Sequence, residues 1–333
     1  GRLREGTMTV LERSNEIVGM MLKVLTVVVL LMSILAYFAS SSMFLEMLVN
    51  YRFQYFIASI AMLLYFVIAR SWIWLLVISV SVFMNGLEVI PCYAMGRTVE
   101  RGTESETVSF FVANVRQENT EYDKLFARID LEDPDVVLLQ EIDRDWMGQL
   151  GKLGESYPYS FLLPKSDRTG IGMLSKSPFS GVSAIELGPK KTPCVVAHLQ
   201  ILGQTLTIFG THLTPPIKAG RMEQRNEELE DLADHVRKTE GRAVVIGNLN
   251  ASTWAPPMKT FLSDTSMMDA RKGYGILTTW PVWFGLIRVP IDYCLVGEGV
   301  GVKAIRVIEA CGSDHYTLYV ETFMTGDAVT GRD

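Results

Sequence analysis

Apolar residues crowd the first 96 positions of this chain and then thin into short runs separated by polar turns. Three early stretches, 24–38, 53–69 and 72–90, are long enough to be read as membrane spans, for which about 17 to 25 apolar residues are needed. The first runs on past Ser40, Ser41 and Ser42 into Met43, Phe44 and Leu45. Backbone groups in lipid must pair within their own segment, so helices are expected. A cleaved signal peptide ending near 39–41 is the rival for the first stretch, and the two apolar stretches directly behind it weigh against that.

Beyond a polar linker at 93–106 the period shortens to that of strands and single helices. Strands are predicted at 107–113, 136–140, 159–164, 171–175, 194–199, 205–209, 243–246, 291–296, 302–308 and 316–320. Helices are predicted at 122–131, 218–238 and 254–262. The charges of the 218–238 helix read as a solvated face, and 274–289 reads as an aromatic loop containing Trp280, Trp283 and Phe284. The expected organisation is a transmembrane domain at 1–92, the linker, a catalytic domain at 107–323 and a tail at 324–333.

Charge sharpens this division. Residues 1–96 hold six Lys/Arg and five Asp/Glu, leaving 25 basic and 32 acidic residues after them, a formal −7 within a whole-chain −6. Such a balance counts against a general nucleic-acid binder, which shows a basic face. Arg2, Arg4, Arg13 and Lys23 precede the first span and Arg70 separates the second from the third, with only Arg52 in the other loop. The positive-inside bias then sets the N-terminus in the cytoplasm and, after three crossings, everything past Tyr93 on the far side: in a bacterium, a multi-pass inner-membrane protein with a periplasmic or extracellular domain. Tyr51, Trp72, Trp74 and Tyr93 suit interfacial anchors, and Asn85 and Glu88 are expected at an interface too. Cys92, Cys194, Cys294 and Cys311 have no paired spacing, so unpaired, mostly buried thiols are expected.

Several predicted strands end in oxygen- or nitrogen-bearing side chains: Asn114, Glu141, His212, Asn248 with Asn250, Asp292, and Asp314-His315. Each alone reads as a turn or cap residue. In this order they resemble the endonuclease/exonuclease/phosphatase superfamily of DNase I-like enzymes. The motifs are Asn114-Val115, Leu139-Gln140-Glu141, Gly210-Thr211-His212-Leu213, Gly247-Asn248-Leu249-Asn250-Ala251, Ile291-Asp292-Tyr293 and Gly312-Ser313-Asp314-His315.

The resemblance implies an α/β fold, a four-layered α/β sandwich of two central sheets flanked by helices, here preceded by a bundle of three transmembrane helices. It implies Mg²⁺, with Mn²⁺ or Ca²⁺ as substitutes, held by Glu141, Asn114 and Asp314. It makes His315 the contact to the scissile phosphate, oriented by Asp292, and His212 and Asn250 hydrogen-bond donors to phosphate oxygens. Position 248 is Asp in the usual motif, where it readies the attacking water. Asn248 cannot take a proton, and general-base contributions run about 10²- to 10⁴-fold, so slow turnover is expected. A substitution that traps substrate, a natural pseudoenzyme and a variant with another base are the three explanations. The intact remainder of the site favours the first, and the Gly-Arg-Leu start ahead of Met8 points the same way.

A membrane-anchored site meets lipid head groups at high effective concentration. The expected substrate is therefore a phospholipid or other membrane-associated phosphoester, with membrane lipids as partners. A membrane-tethered nuclease is the second reading and requires a basic groove beside the site, for which Lys165, Arg168, Lys190, Lys191 and Lys218 are the loop candidates. A non-catalytic phosphoester sensor is the third. The pattern leaves the oligomeric state open.

Overall fold

The computed structural model describes residues 10–94, 105–218 and 220–325. Arg2 and Arg4, most of the linker expected at 93–106 and nearly all of the tail expected from 324 lie outside them. The chain divides into two compact units, residues 1–90 and 91–333.

The first unit holds α1 (Val10–Leu35), α2 (Met43–Val49), α3 (Arg52–Ile68) and α4 (Trp72–Val89). The first apolar stretch does not continue as one helix: a 3-10 segment at Ala36–Ser41 interrupts it, and Ser42, whose hydroxyl accepts from the Leu45 N–H, caps a new helix. Two helical segments, Arg13–Ser41 and Trp72–Cys92, are long and apolar enough to cross a membrane. A third crossing exists only if α2 and α3, bent by 56°, count as one.

Asn85, expected at an interface, is instead buried among the helices. Its Nδ2 donates to Ser33 Oγ (2.8 Å) and Ser81 O (2.9 Å). Arg52, read as a loop residue, opens α3 and is likewise buried, donating to Asn85 Oδ1 and Ser33 O at 3.2 Å. A guanidinium out of water needs such partners, so this seam ties α1, α3 and α4 together.

The second unit places β1 (Ser105–Asn114), α5 (Tyr122–Glu132), β2 (Val136–Gln140), α6 (Arg144–Leu150), β3 (Tyr159–Leu163), β4 (Ile171–Ser175), β5 (Gly181–Leu187), β6 (Thr192–Ile201) and β7 (Gln204–His212) in order. It continues with α7 (Arg221–Arg237), β8 (Arg242–Asn248), α8 (Pro256–Thr265), β9 (Met268–Asp269), β10 (Asp292–Val296), β11 (Val300–Ile308) and β12 (Thr317–Thr325). The strands form two six-stranded sheets, β11-β12-β1-β2-β4-β3 and β5-β6-β7-β8-β10-β9. Strand side chains alternate between faces, so Phe110, Val112, Leu138 and Met173 meet Val195, Ile208, Val244 and Ile246 between the sheets. The alternate residues Phe111, Val137 and Leu139 pack against Leu125, Ile129 and Trp146 of α5 and α6. Helices α7 and α8 lie against each other on the side of the second sheet, and α7 also touches β5.

The centre of each sheet contains a parallel pair, β1 with β2 and β7 with β8. Parallel neighbours end at the same edge, which is why Asn114 and Glu141 emerge together in one sheet and His212 and Asn248 in the other. In register, His212 lies beside Asn248, and Asp292 at the start of antiparallel β10 lies on its other side.

Candidate active site

The turn after β8 begins at Gly247, whose φ of 134° suits glycine and whose Cβ, if present, would fall 1.9 Å from the Thr211 carbonyl oxygen. That close approach lets β7 and β8 end side by side. Asn248 Oδ1 then accepts from the Asn250 backbone N–H at 2.8 Å, an Asx turn. Asn250 takes a left-handed φ of 51°, donates its Nδ2 to Leu213 O (2.6 Å), and accepts at its carbonyl from Arg225 Nη1 (2.7 Å).

Arg225 and Glu228 are fully buried. Glu228 accepts from the Thr192 hydroxyl (2.6 Å), the Thr214 N–H and hydroxyl (both 2.7 Å) and Gln224 Nε2 (2.9 Å). Part of the α7 charge expected to face solvent is thus turned inward, because the loop after β7 has backbone and hydroxyl groups that need partners away from water. Nothing in the helix's dense charge pattern singled out these two.

On the first sheet, Asn114 Nδ2 donates to Glu141 Oε1 at 2.9 Å, while its Oδ1 accepts from the Arg116 N–H at 2.9 Å. Asn114 therefore orients Glu141, whose other oxygen accepts from the Gln117 N–H at 3.4 Å. The Ser313 hydroxyl donates to Asn114 O at 2.6 Å and accepts from the His315 N–H at 3.1 Å, which brings the loop before β12 to the same edge. Trp280, missed as a site residue, donates its indole N–H to Asp314 Oδ2 at 3.1 Å, and its ring lies 6.2 Å from that of His315. Further along that loop apolar side chains point outward: Trp283 and Leu286 are 71 % and 73 % exposed, and Phe284 stacks on Trp283.

His315 Nδ1 and Asp292 Oδ2 are 2.9 Å apart and both residues are buried. Burial works against the charge on His315, but Asp292, aided by Asp314 and Glu141, outweighs it and raises the imidazole above its ordinary range. Asp292 is likewise opposed by burial and held below the usual carboxylate range by His315. His212 behaves oppositely: burial pushes it below the ordinary histidine value, with Glu141, 3.9 Å from its Nε2, opposing in part. Its Nδ1 lies 3.3 Å from the Arg168 carbonyl, which can only accept, so the neutral ring carries its proton there. Nε2 then has no proton to give until an anion draws a second one on.

The donor chemistry suits a hard cation. Glu141 and Asp314 both act electrostatically on His315 and Arg168. Among the described residues no group of three or more His, Cys, Asp and Glu is arranged to hold a metal. A cation here would rest on two carboxylates and water, the coordination Mg²⁺ accepts.

A cleft of about 820 Å³ opens beside Glu141 and His212. The five basic loop residues, Lys165, Arg168, Lys190, Lys191 and Lys218, all line it, and Arg221 joins them from the start of α7.

Paired sheets whose strand ends gather carboxylates, amides and a histidine–aspartate pair define an α/β sandwich of the phosphoester-hydrolase type. Residues 111–315 match the model of the Endonuclease/Exonuclease/phosphatase family, and the chain belongs to that family. Members of that superfamily are generally metal-dependent phosphoester hydrolases and nucleases.

Solved structures share the fold at low identity. Danio rerio TDP2 complexed with single strand DNA product is 18 % identical over 66 % of this chain and 100 % of its own, with a TM-score of 0.55. An endonuclease/exonuclease/phosphatase from Beutenbergia cavernae is 19 % identical over 67 % of this chain and 72 % of its own, also at 0.55. The human Nocturnin catalytic domain with bound sulfate anion is 17 % identical over 67 % and 97 %, again at 0.55. Comparison with curated proteins gives no match.

Proposed function

We propose that this chain is a divalent-metal-dependent phosphoester hydrolase, anchored in a membrane by its N-terminal helices, that acts on a phospholipid or other membrane-associated phosphoester. The observation that carries the reading is the meeting of Glu141, His212, Asn248 and the His315–Asp292 pair at one edge of two sheets. Glu141, oriented by Asn114, and Asp314, held by Trp280, would hold Mg²⁺. When bound, that ion supplies charge stabilisation to the phosphoryl oxygens.

His315, kept protonated by Asp292, donates to the scissile phosphate and stabilises charge as it develops. Asn250 has one amide hydrogen committed to Leu213 and one left for a phosphate oxygen, and His212 donates once protonated. Asn248 holds the attacking water in line without accepting its proton, so the chain binds substrate and turns it over slowly. The apolar N-terminal unit and the exposed Trp283, Phe284 and Leu286 favour a lipid substrate. With α2 and α3 together making the third crossing, the positive-inside bias puts the catalytic unit on the non-cytoplasmic side of a bacterial inner membrane.

Asn248→Asp protein, tested with Mg²⁺ on phospholipid vesicles against plasmid DNA, decides the matter: cleavage of lipid with none of DNA is the expected result. The basic cleft favours a second reading, a membrane-tethered nuclease, and DNA cleavage alone would establish it. No cleavage of either, with ligand binding retained, would make the protein a phosphoester sensor.

A further inference from the structure

The basic cleft has a charge arrangement that solubility does not require. Three loops bring six cationic side chains to it: Lys165 and Arg168 after β3, Lys190 and Lys191 between β5 and β6, and Lys218 and Arg221 around the start of α7. Against them stand only the carboxylates of Glu141 and Asp167 in the lining. Arg168 is paired with Glu118 and Lys191 with Glu186. Lys165, Lys190, Lys218 and Arg221 make no ion pair among the described residues.

Elsewhere in the same unit cations are routinely neutralised, as Lys124 is by Glu121, Lys176 by Asp133, Lys303 by Glu321 and Arg306 by Glu132. Like charges gathered in one concavity repel, and the cleft walls focus their field; a bound anion relieves both.

The cleft is also joined to the chemistry. Its lining includes Glu141 and His212, and the backbone carbonyl of Arg168 fixes the His212 ring. Its floor is firm, because the Thr192 and Thr214 hydroxyls are bonded to buried Glu228. The volume of about 820 Å³ falls within the range of small-ligand sites, about 300 to 1,000 Å³.

We propose that this cleft is a second anion site, which takes a further phosphate group on the headgroup of the same substrate. The assignment rests on the hydrolase reading for the scissile phosphate and narrows it to phospholipids whose headgroup carries a second phosphate. A nucleic-acid strand would need cations on both sides of the cleaved bond. Here the six cleft cations line the Glu141–His212 edge. The Asp314–His315 edge has Arg288, stacked on Tyr316 and donating to the Pro281 and Val282 carbonyls; it is flanked by Trp280 and leads to exposed Trp283, Phe284 and Leu286. Charge on one side and apolar surface on the other match an anionic amphiphile, its phosphates inward and its tail toward a bilayer.

The test uses the full chain in detergent. Calorimetric titration with glycerol 1,3-bisphosphate and with glycerol 1-phosphate should show about tenfold or more tighter binding of the former, the worth of one charge-assisted phosphate contact. In a Lys190→Glu/Lys218→Glu double variant with an unchanged thermal midpoint, that preference should vanish. On the Asn248→Asp background, kcat/KM for vesicles of phosphatidylglycerol phosphate relative to phosphatidylglycerol should fall by the same factor in the double variant.

Equal binding of the two glycerol phosphates by the unmodified chain, or a preference that survives the double substitution, overturns the proposal. A single-stranded oligodeoxynucleotide that displaces the bisphosphate, with a salt dependence lost in the double variant, overturns the headgroup in favour of a strand. If the Asn248→Asp protein cleaves neither lipid yet the bisphosphate preference stands, the hydrolase reading fails and the second anion site is upheld.

Discussion

Asn248 gives its only side-chain oxygen to the backbone N–H of Asn250, 2.8 Å away. The amide cannot be turned round, since an NH₂ group facing an N–H satisfies neither. Its Nδ2 makes no hydrogen bond among the described residues and is the atom left to meet water or phosphate. A carboxylate at this position would keep the same turn with one oxygen and offer the other as a base. Asn248→Asp should therefore raise Mg²⁺-dependent turnover by about 10²- to 10⁴-fold, measured as initial rate. An equal rate in both proteins would show that the missing base does not limit this chain.

The His315–Asp292 pair makes stability depend on pH in a defined sense. His315, with its pKa raised on folding, stabilises fully below the ordinary histidine value and loses that contribution as pH rises through its folded value. Asp292, with its pKa lowered, stabilises above the ordinary carboxylate value and loses that contribution as pH falls through its folded value. The pair thus contributes most between about pH 4 and pH 6.5. Asp292→Asn should cost about 3 kcal/mol near pH 5.5 and less at pH 9, read from urea midpoints at the two pH values.

Trp280 acts on Asp314 through one indole N–H. Trp280→Phe keeps the ring against His315 and removes that donor. On the Asn248→Asp background, the Mg²⁺ concentration for half-maximal rate should rise about tenfold, the usual worth of a partner that orients a ligand. Saturating metal should restore most of the rate, whereas a folding defect would not respond to metal.

Glu228 holds four hydrogen bonds at the base of the loop after β7. Glu228→Ala strands the buried Thr192 and Thr214 groups and should destabilise the second unit by about 3 kcal/mol, seen as a shift in the urea midpoint. Glu228→Gln keeps two acceptor sites and should recover part of the loss.

Much of the site was legible because strands that end in one polar residue carry it to a sheet edge whatever their neighbours do. Asn114, Glu141, His212 and Asn248 were found this way, and β8 runs on through Asn248 itself. Strand β5 and helix α6 were passed over, since the mixed exposure of β5 leaves little alternation to read. The first apolar stretch, 24–38, lies within the helical segment Arg13–Ser41, but hydropathy does not show that its end tightens into a 3-10 turn at 36–41 or that Ser42 starts a new helix.

The sequence by itself determined the identity and order of the chemical groups, and it determined that position 248 carries an amide. These are local properties, set by strand period, turn residues and side-chain chemistry. Only the tertiary structure decided which groups work together. It turned Asn114 toward Glu141, seated Arg225 and Glu228 beneath the turns, and set Trp280 on Asp314. It also gathered cations scattered from Lys165 to Arg221 into one cleft. Hydrogen-bond partners and charge neighbours far apart in the chain are fixed by sheet register and loop packing, and no one-dimensional pattern contains those.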